Sequence, residues 1–323
     1  MFQVVLMEKT APTLALCLSL LAGCANTSGN TSVQCSPLTT TKAVRPADWQ
    51  GTVFTIVMEN HSAGDIFGSP AAPFINSLAN QNAVARGYRD SLVHPSEPNY
   101  IWMVAGENFG ILNDNDPGAG NHISSVSHLA DQIELGGLTW KTYQESMGAP
   151  CVLASTGRYA AKHNPFIYFD DINGWDGTKV NQTQRCIDHV VDYSQLDADL
   201  AAGKLPDYVF ITPNLDNDMH DGSIQTGDTW LAREVPKILA SDAFNKGGVL
   251  FLLWDEGGGF PQTDDPPFIA ISPNAKQGFV STVTYDTSSF VKTVQTMLGV
   301  DTLPCSSKAT QVPVMSDLFT VAL

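Results

Sequence analysis

Hydrophobic positions along the chain gather into short, nearly unbroken runs, and each run ends in a polar loop. Residues 52–58 (TVFTIVM) lead into Glu59-Asn60-His61, and residues 207–212 (DYVFIT) lead into Pro213-Asn214. Residues 248–254 (GVLFLLW) lead into Asp255-Glu256 and three glycines, and residues 268–272 (FIAIS) lead into Pro273. Runs this short and this uniformly apolar predict strands of a sheet covered on both faces. Between them, apolar positions recur at helical spacing over 125–135, 228–240 and 288–298, the first closed by Gly136-Gly137. The alternation predicts an α/β fold, a three-layer α/β/α sandwich with a mainly parallel central sheet. Ligands of such sheets gather beyond the carboxyl ends of the strands, where the acidic loops of this chain fall. No internal repeat and no second composition regime interrupts residues 45–323, which read as one domain.

The chain opens differently. Residues 13–23 (TLALCLSLLAG) form an apolar run that is too short to span a bilayer, which takes about twenty residues, but fits the hydrophobic region of a signal peptide. It ends in Leu21-Ala22-Gly23-Cys24, which resembles the lipobox of bacterial lipoproteins, where the cysteine is lipidated and becomes the new N-terminus. Positive charge ahead of the run is limited to Lys9 and the amino terminus; a start at Met7 would leave Met-Glu-Lys. The expected organisation is a lipoprotein signal peptide over 1–23, a polar tether over 24–44 lipidated at Cys24, and a catalytic domain over 45–323. That places the protein in the bacterial cell envelope, at the membrane surface or secreted. The simpler alternative is an ordinary signal peptide.

Composition narrows the partners. The 33 acidic residues outnumber 17 basic ones, for a net charge of -16. Nucleic acid is excluded as a partner, because phosphate backbones are bound by clustered Lys and Arg. No basic run of five or more occurs, so a polybasic membrane patch is excluded too. Six cysteines are present. With Cys17 leaving in the signal and Cys24 lipidated, Cys35, Cys151, Cys186 and Cys305 remain, an even set in an oxidising compartment. Four cysteines allow three connectivities, of which Cys151–Cys186 with Cys35–Cys305 is the favoured one, and unpaired thiols are the alternative. No CxxC pair or zinc-type Cys/His spacing appears.

The loops carry the chemistry. Glu59-Asn60 and Asp255-Glu256 each follow a buried strand, and unpaired carboxylates crowded there conflict electrostatically. A divalent cation with oxygen ligands relieves the conflict. In His94-Pro95-Ser96-Glu97-Pro98-Asn99-Tyr100, Pro98 predicts the first turn of a helix through 100–105. Ser96 then lies at or beside the N-cap, where a helix terminus favours anions and a serine can attack phosphorus. In the stretch Pro213 to Gly222, His220 sits among Asp216, Asp218 and Asp221, which would orient it for acid–base work. His163, in Lys162-His163-Asn164, is a weaker candidate. Each loop taken alone also reads as a solvated turn, a surface histidine or a plain capping serine.

Together the segments ENHS, HPSEPNY, AAKHNPF, PNLDNDMHDGSIQTGDTWL and WDEGGG resemble the phosphoesterase family of bacterial and fungal acid phosphatases and related phospholipases C. That family lies within the alkaline phosphatase superfamily. The resemblance spans roughly residues 50–320. It implies a metal-dependent acid phosphatase acting on a phosphate ester through a phosphoserine intermediate. It implies Ser96 as nucleophile and His220 as acid, with Glu59, Asn60, Asp255 and Glu256 as metal ligands. It places Asn99, His163, Asn214 and Asp218 around the phosphate. Relatives often read Tyr-Asp-His where this chain has Tyr285-Asp286-Thr287, which favours one divalent ion over two. A phospholipase C cutting diesters, or a non-catalytic binding lipoprotein, remains the alternative. With no Lys or Arg in the strongest motifs, the metal, the helix N-terminus and His220 are the expected sources of positive charge.

Overall fold

The structure, a computed structural model, describes residues 42–124, 126–258, 265–301 and 311–323. The signal segment, Cys24, most of the tether, and the Cys35–Cys305 pairing lie outside the described residues.

Eight strands form one sheet among the described residues: β1 (Val53–Met58), β2 (Ala83–Arg89), β3 (Trp140–Gln144), β4 (Val190–Asp192), β5 (Tyr208–Thr212), β6 (Val249–Trp254), β7 (Phe268–Ile271) and β8 (Phe279–Asp286). Their order across the sheet is β4-β3-β5-β1-β6-β7-β2-β8. Strand β7 runs antiparallel to β6 and β2, and every other described pairing is parallel. The expected fold is therefore present, with an antiparallel insertion that a hydrophobic run cannot announce.

The central strands are buried on both faces because successive side chains point to opposite sides. Val53 and Val57 of β1 join one core with Tyr208, Phe210, Phe251 and Leu253. Phe54, Ile56 and Met58 join the other with Val209, Ile211, Leu250 and Leu252. The helices Ser96–Ala105 and Thr287–Leu298 contribute to the first core, and the helix Ile224–Leu239 contributes to the second. These layers make the α/β/α sandwich.

Helix boundaries shifted where capping overruled periodicity. The helix expected over 228–240 begins at Ile224, because Ser223 caps it by accepting from Thr226 N. The helix expected over 125–135 spans Leu129–Leu135, started by His128 with Asp131. The helix after His94 begins at Ser96 itself, so Ser96 occupies its first turn, and it closes on Gly106 at φ 68. A disulfide joins Cys151 to Cys186, with Cα atoms 5.3 Å apart. No helix among the described residues is long and apolar enough to cross a membrane.

Candidate active site

Register creates the site. Strands β1 and β6 are parallel neighbours with Met58 opposite Trp254, so Glu59-Asn60 and Asp255-Glu256 leave the sheet side by side. The two turns are tied together: Asp255 N donates to Met58 O (3.0 Å), and Asn60 N donates to Asp255 Oδ1 (3.2 Å). On the other flank of β1, strand β5 delivers the 213–222 loop, and Glu59 N donates to Asp218 O (2.8 Å).

Ser96 meets this cluster from the helix Ser96–Ala105. Its hydroxyl is buried and donates to Glu59 Oε2 at 3.1 Å. Asn99 and Tyr100, three and four residues on, share its helix face. Asn99 Nδ2 donates to Val93 O (2.8 Å) and to Glu256 Oε2 (3.1 Å). The ring of Tyr100 stacks on His163, centroids 5.0 Å apart. His94 Nδ1 lies 2.6 Å from Glu256 Oε2.

Negative charge here is poorly answered. Burial pushes Glu59 well above the usual carboxylate range, and Asp255 and Asp218 push it further. Burial does the same to Asp255, reinforced by Glu256. Burial also raises Glu256, against the opposing effect of His94, and raises Asp218 to about 7. Asp255 Oδ2 is buried with no hydrogen-bond partner. The end of the Asn60 amide sits 3.1 Å from Glu256 Oε1 and 3.2 Å from Glu59 Oε2. With NH2 at that end, the amide donates to both carboxylates; with oxygen there, three oxygens face one another and call for a cation. Asn60 holds this position from a left-handed backbone (φ 47), which asparagine tolerates. Glu59, Asn60, Asp255 and Glu256 thus fit a divalent metal by donor type, burial and orphaned oxygen.

The histidines form the opposite wall. His163 is buried, with Nε2 3.2 Å from Glu59 Oε1 and Nδ1 3.2 Å from Asp218 Oδ2. Burial lowers it well below the ordinary histidine value, and Lys162 and His220 add to that. His220 is partly open to solvent, with its Nδ1 2.8 Å from Asp221 Oδ1 and its backbone N donating to Asp218 Oδ1 (2.8 Å). Ring nitrogens of His163 and His220 and a carboxylate oxygen of Glu59 lie within 4.8 Å of one another.

The loop that carries His220 is tightly built. A Cβ at Gly222 would lie 1.9 Å from Asp216 O, so only glycine closes it. Met219 sits at φ 83, a costly conformation for a side-chain-bearing residue, immediately before His220. Asn214 spends both ends of its amide inside this region: Oδ1 accepts from Asp216 N and Asn217 N (both 3.1 Å), and Nδ2 donates to Ser146 Oγ (3.0 Å). Asp218 likewise backs the two histidines. Through these contacts both residues, expected beside the phosphate, hold the loop and its histidines. Glu145, directly after β3, accepts from Asn214 N (2.9 Å), Asn217 Nδ2 (2.9 Å) and Trp230 Nε1 (3.1 Å).

The pattern of residues 47–301 matches the model of the Phosphoesterase family. The chain belongs to that family. This phosphoesterase is 32% identical over 269 residues to a phosphatidylinositol-3-phosphatase of Mycobacterium tuberculosis, covering 83% of this chain and 82% of that one. It is 31% identical over 196 residues to an acid phosphatase of Aspergillus fumigatus, covering 58% of this chain and 41% of the relative. The chain thus spans less than half the length of the fungal enzyme. Among solved structures, it is similar to an alkaline phosphatase superfamily protein from Vibrio parahaemolyticus, with a TM-score of 0.57, 12% identity, and coverage of 89% of this chain and 77% of that one. The fold is that of the superfamily, and the chain is a phosphoric ester hydrolase.

Several contributors were not singled out from the sequence. Tyr100 was recoverable as the i+4 partner of Ser96 once the helix was placed. Lys162, adjacent to His163 in the turn Ala161–His163, and Asp114 carry no local signal. The helix N-terminus, expected to be open to an anion, already engages Asp114, whose Oδ1 accepts from Glu97 N at 3.0 Å.

Proposed function

We propose that the protein is a metal-dependent phosphomonoesterase that works through a phosphoserine at Ser96. The observation that carries this reading is the Ser96 hydroxyl, buried and hydrogen-bonded to Glu59 within a carboxylate cluster that has unmatched oxygens. A divalent cation on Glu59, Asn60, Asp255 and Glu256 would favour the serine alkoxide and offset charge on the phosphoryl oxygens. Ser96 Oγ attacks phosphorus as its proton leaves toward Glu59 Oε2. The P–O bond to the substrate alcohol breaks, and His220 supplies the proton that alcohol needs. Water then attacks the phosphoserine, His220 takes the water proton, the P–O bond to Ser96 breaks, and Glu59 returns the proton to Ser96 as phosphate leaves. His163, held between Glu59 and Asp218, and Asn99 position the phosphoryl group; Asn214 and Asp218 hold the loop that presents His220. Residues 45–323 form the catalytic domain. Cys24, after a signal over 1–23, carries the lipid that holds this domain at the envelope surface, and radiolabelled fatty acid incorporation into the wild type but not Cys24→Ala tests that part.

The catalytic reading is tested by mixing the enzyme with p-nitrophenyl phosphate and quenching in acid. A covalent phosphate on the peptide containing Ser96, absent from Ser96→Ala, is the expected result. Turnover by Ser96→Ala at the wild-type rate would sink it.

A further inference from the structure

Resting on the phosphatase reading above, we propose that Lys162, clamped by Asp114, reads the second negative charge of the substrate and thereby selects phosphomonoester dianions over diester monoanions. The site needs a cation of its own. Glu59, Asp218, Asp255 and Glu256 bring four buried carboxyl groups to a place that must accept a doubly charged phosphoryl group. One divalent ion would not balance both. Lys162 Nζ is 3.2 Å from His220 Nε2, and a His220 ring nitrogen lies within 4.8 Å of a carboxylate oxygen of Glu59, to which Ser96 donates. Its side chain is only 17% exposed, so its charge acts through protein rather than bulk water. Its influence reaches Glu59, Asp218, Asp255 and His163.

The mounting is specific. Asp114 Oδ2 holds Lys162 Nζ at 2.9 Å, while Asp114 Oδ1 accepts from Glu97 N, in the first turn of the helix that carries Ser96. One carboxylate therefore fixes the cation relative to the nucleophile. A lysine ammonium only donates, so it donates to His220 Nε2 only while that nitrogen carries no proton; a phosphoryl oxygen that draws the ammonium away leaves Nε2 free to hold the proton for the leaving alcohol, with Nδ1 facing Asp221. A phosphoryl oxygen arriving between them is a stronger acceptor for the ammonium than an imidazole nitrogen. A monoester offers a terminal oxygen with an extra charge at that point. A diester has an ester group on one of those oxygens and a single charge.

The test uses the full chain with divalent cation supplied. Rates on p-nitrophenyl phosphate and on bis-p-nitrophenyl phosphate are compared for wild type, Lys162→Ala and Lys162→Arg. Inorganic phosphate and dimethyl phosphate are titrated calorimetrically in parallel. Lys162→Ala should lose about 100-fold in kcat/KM on the monoester and under about 10-fold on the diester. It should weaken inorganic phosphate binding about 10-fold while dimethyl phosphate changes little, and Lys162→Arg should keep most of the monoester preference. Equal losses on both esters, or unchanged phosphate affinity, would overturn the proposal. If Lys162→Ala fails to fold, Asp114→Asn replaces it, with a smaller shift toward the diester expected and no shift counting against the idea. A wild type inactive on both esters overturns the phosphatase reading, and the two titrations then decide the role of Lys162 by themselves.

Discussion

Around Glu59 and around Asp171, both groups bring histidine and carboxylate atoms within metal-binding reach, but Glu59 and His163 are buried whereas Asp131 and Asp171 are partly open to solvent. Their electrostatics differ. In the second group, Arg185 Nη2 pairs with Asp131 Oδ1 (2.8 Å), its Nε pairs with Glu134 Oε1 (3.0 Å), and its Nη1 meets Asp171. His128 Nε2 adds a contact 3.2 Å from Asp171 Oδ2. Burial would raise Asp171, but His128 and Arg185 outweigh it and hold it below the usual carboxylate range. In the first group, among the described residues, no guanidinium enters, and Glu59, Asp218, Asp255 and Glu256 are all pushed upward. A carboxylate cluster that carries a full counter-charge ties helices together; one whose counter-charge falls short, with Lys162 opposing but not outweighing burial, is suited to a cation that arrives from outside.

The sharpest way to break this contrast is at the nucleophile. Ser96→Ala should lower kcat on p-nitrophenyl phosphate by at least about 1,000-fold, with the melting temperature little changed. Steady-state kinetics beside a thermal melt reads both. Arg185→Ala should do the reverse, costing on the order of 1 kcal/mol of stability because the three carboxylates it serves are partly exposed and solvent-screened, while kcat of the folded fraction stays near wild type. Urea denaturation measures the loss, and an unchanged midpoint would mean the Arg185 network contributes nothing.

Metal response should separate the clusters next. Adding a divalent cation at about 100 times its dissociation constant should stabilise the wild type by about 2.7 kcal/mol. That gain should vanish in Asp255→Asn and persist in Asp171→Asn. Calorimetric melts with and without chelator measure it, and a gain that follows Asp171 would move the metal to the other cluster.

Glu97 offers a third solution and the smallest effect. It is buried beside Ser96, accepts from Asn121 Nδ2 (3.0 Å), and is raised to about 9, chiefly by burial. It is therefore answered by a proton rather than by a cation. A carboxyl raised in the fold favours folding fully below its unfolded value, near 4.5, and that contribution is lost as pH climbs toward 9. Glu97→Gln should thus match wild type near pH 4.5 and gain on the order of 1 kcal/mol by pH 8. Denaturant midpoints across that window check it; a gain that shrinks with pH would show that Glu97 is charged in the fold.

The parts of the site that were legible in sequence are those that lie next to a strong local signal. Glu59, Asn60, Asp255 and Glu256 follow unbroken apolar strands, and Ser96 precedes a proline that starts a helix. Their convergence depends on β1 pairing with β6, a contact between segments almost 200 residues apart in sequence. Lys162 was passed over because positive charge was sought within the strongest motifs. It matters through Asp114 and His220, which are distant in sequence. Asn214 was placed at the phosphate on its motif, yet its hydrogen bonds keep it inside the loop. A motif shows that a residue belongs to a site but not which way its side chain is spent.

The amino-acid sequence by itself determined the α/β alternation, the strands that carry acidic ends, the helix that opens at Ser96 and the family, because each follows from local periodicity, capping or an ordered string of motifs. Only the tertiary structure decided that β7 runs antiparallel, that His163 lies between two buried carboxylates, and that one acidic cluster has its arginine while the other, among the described residues, has none. These are matters of strand register and through-space charge. Neither falls off with distance along the chain, so no window of sequence contains them.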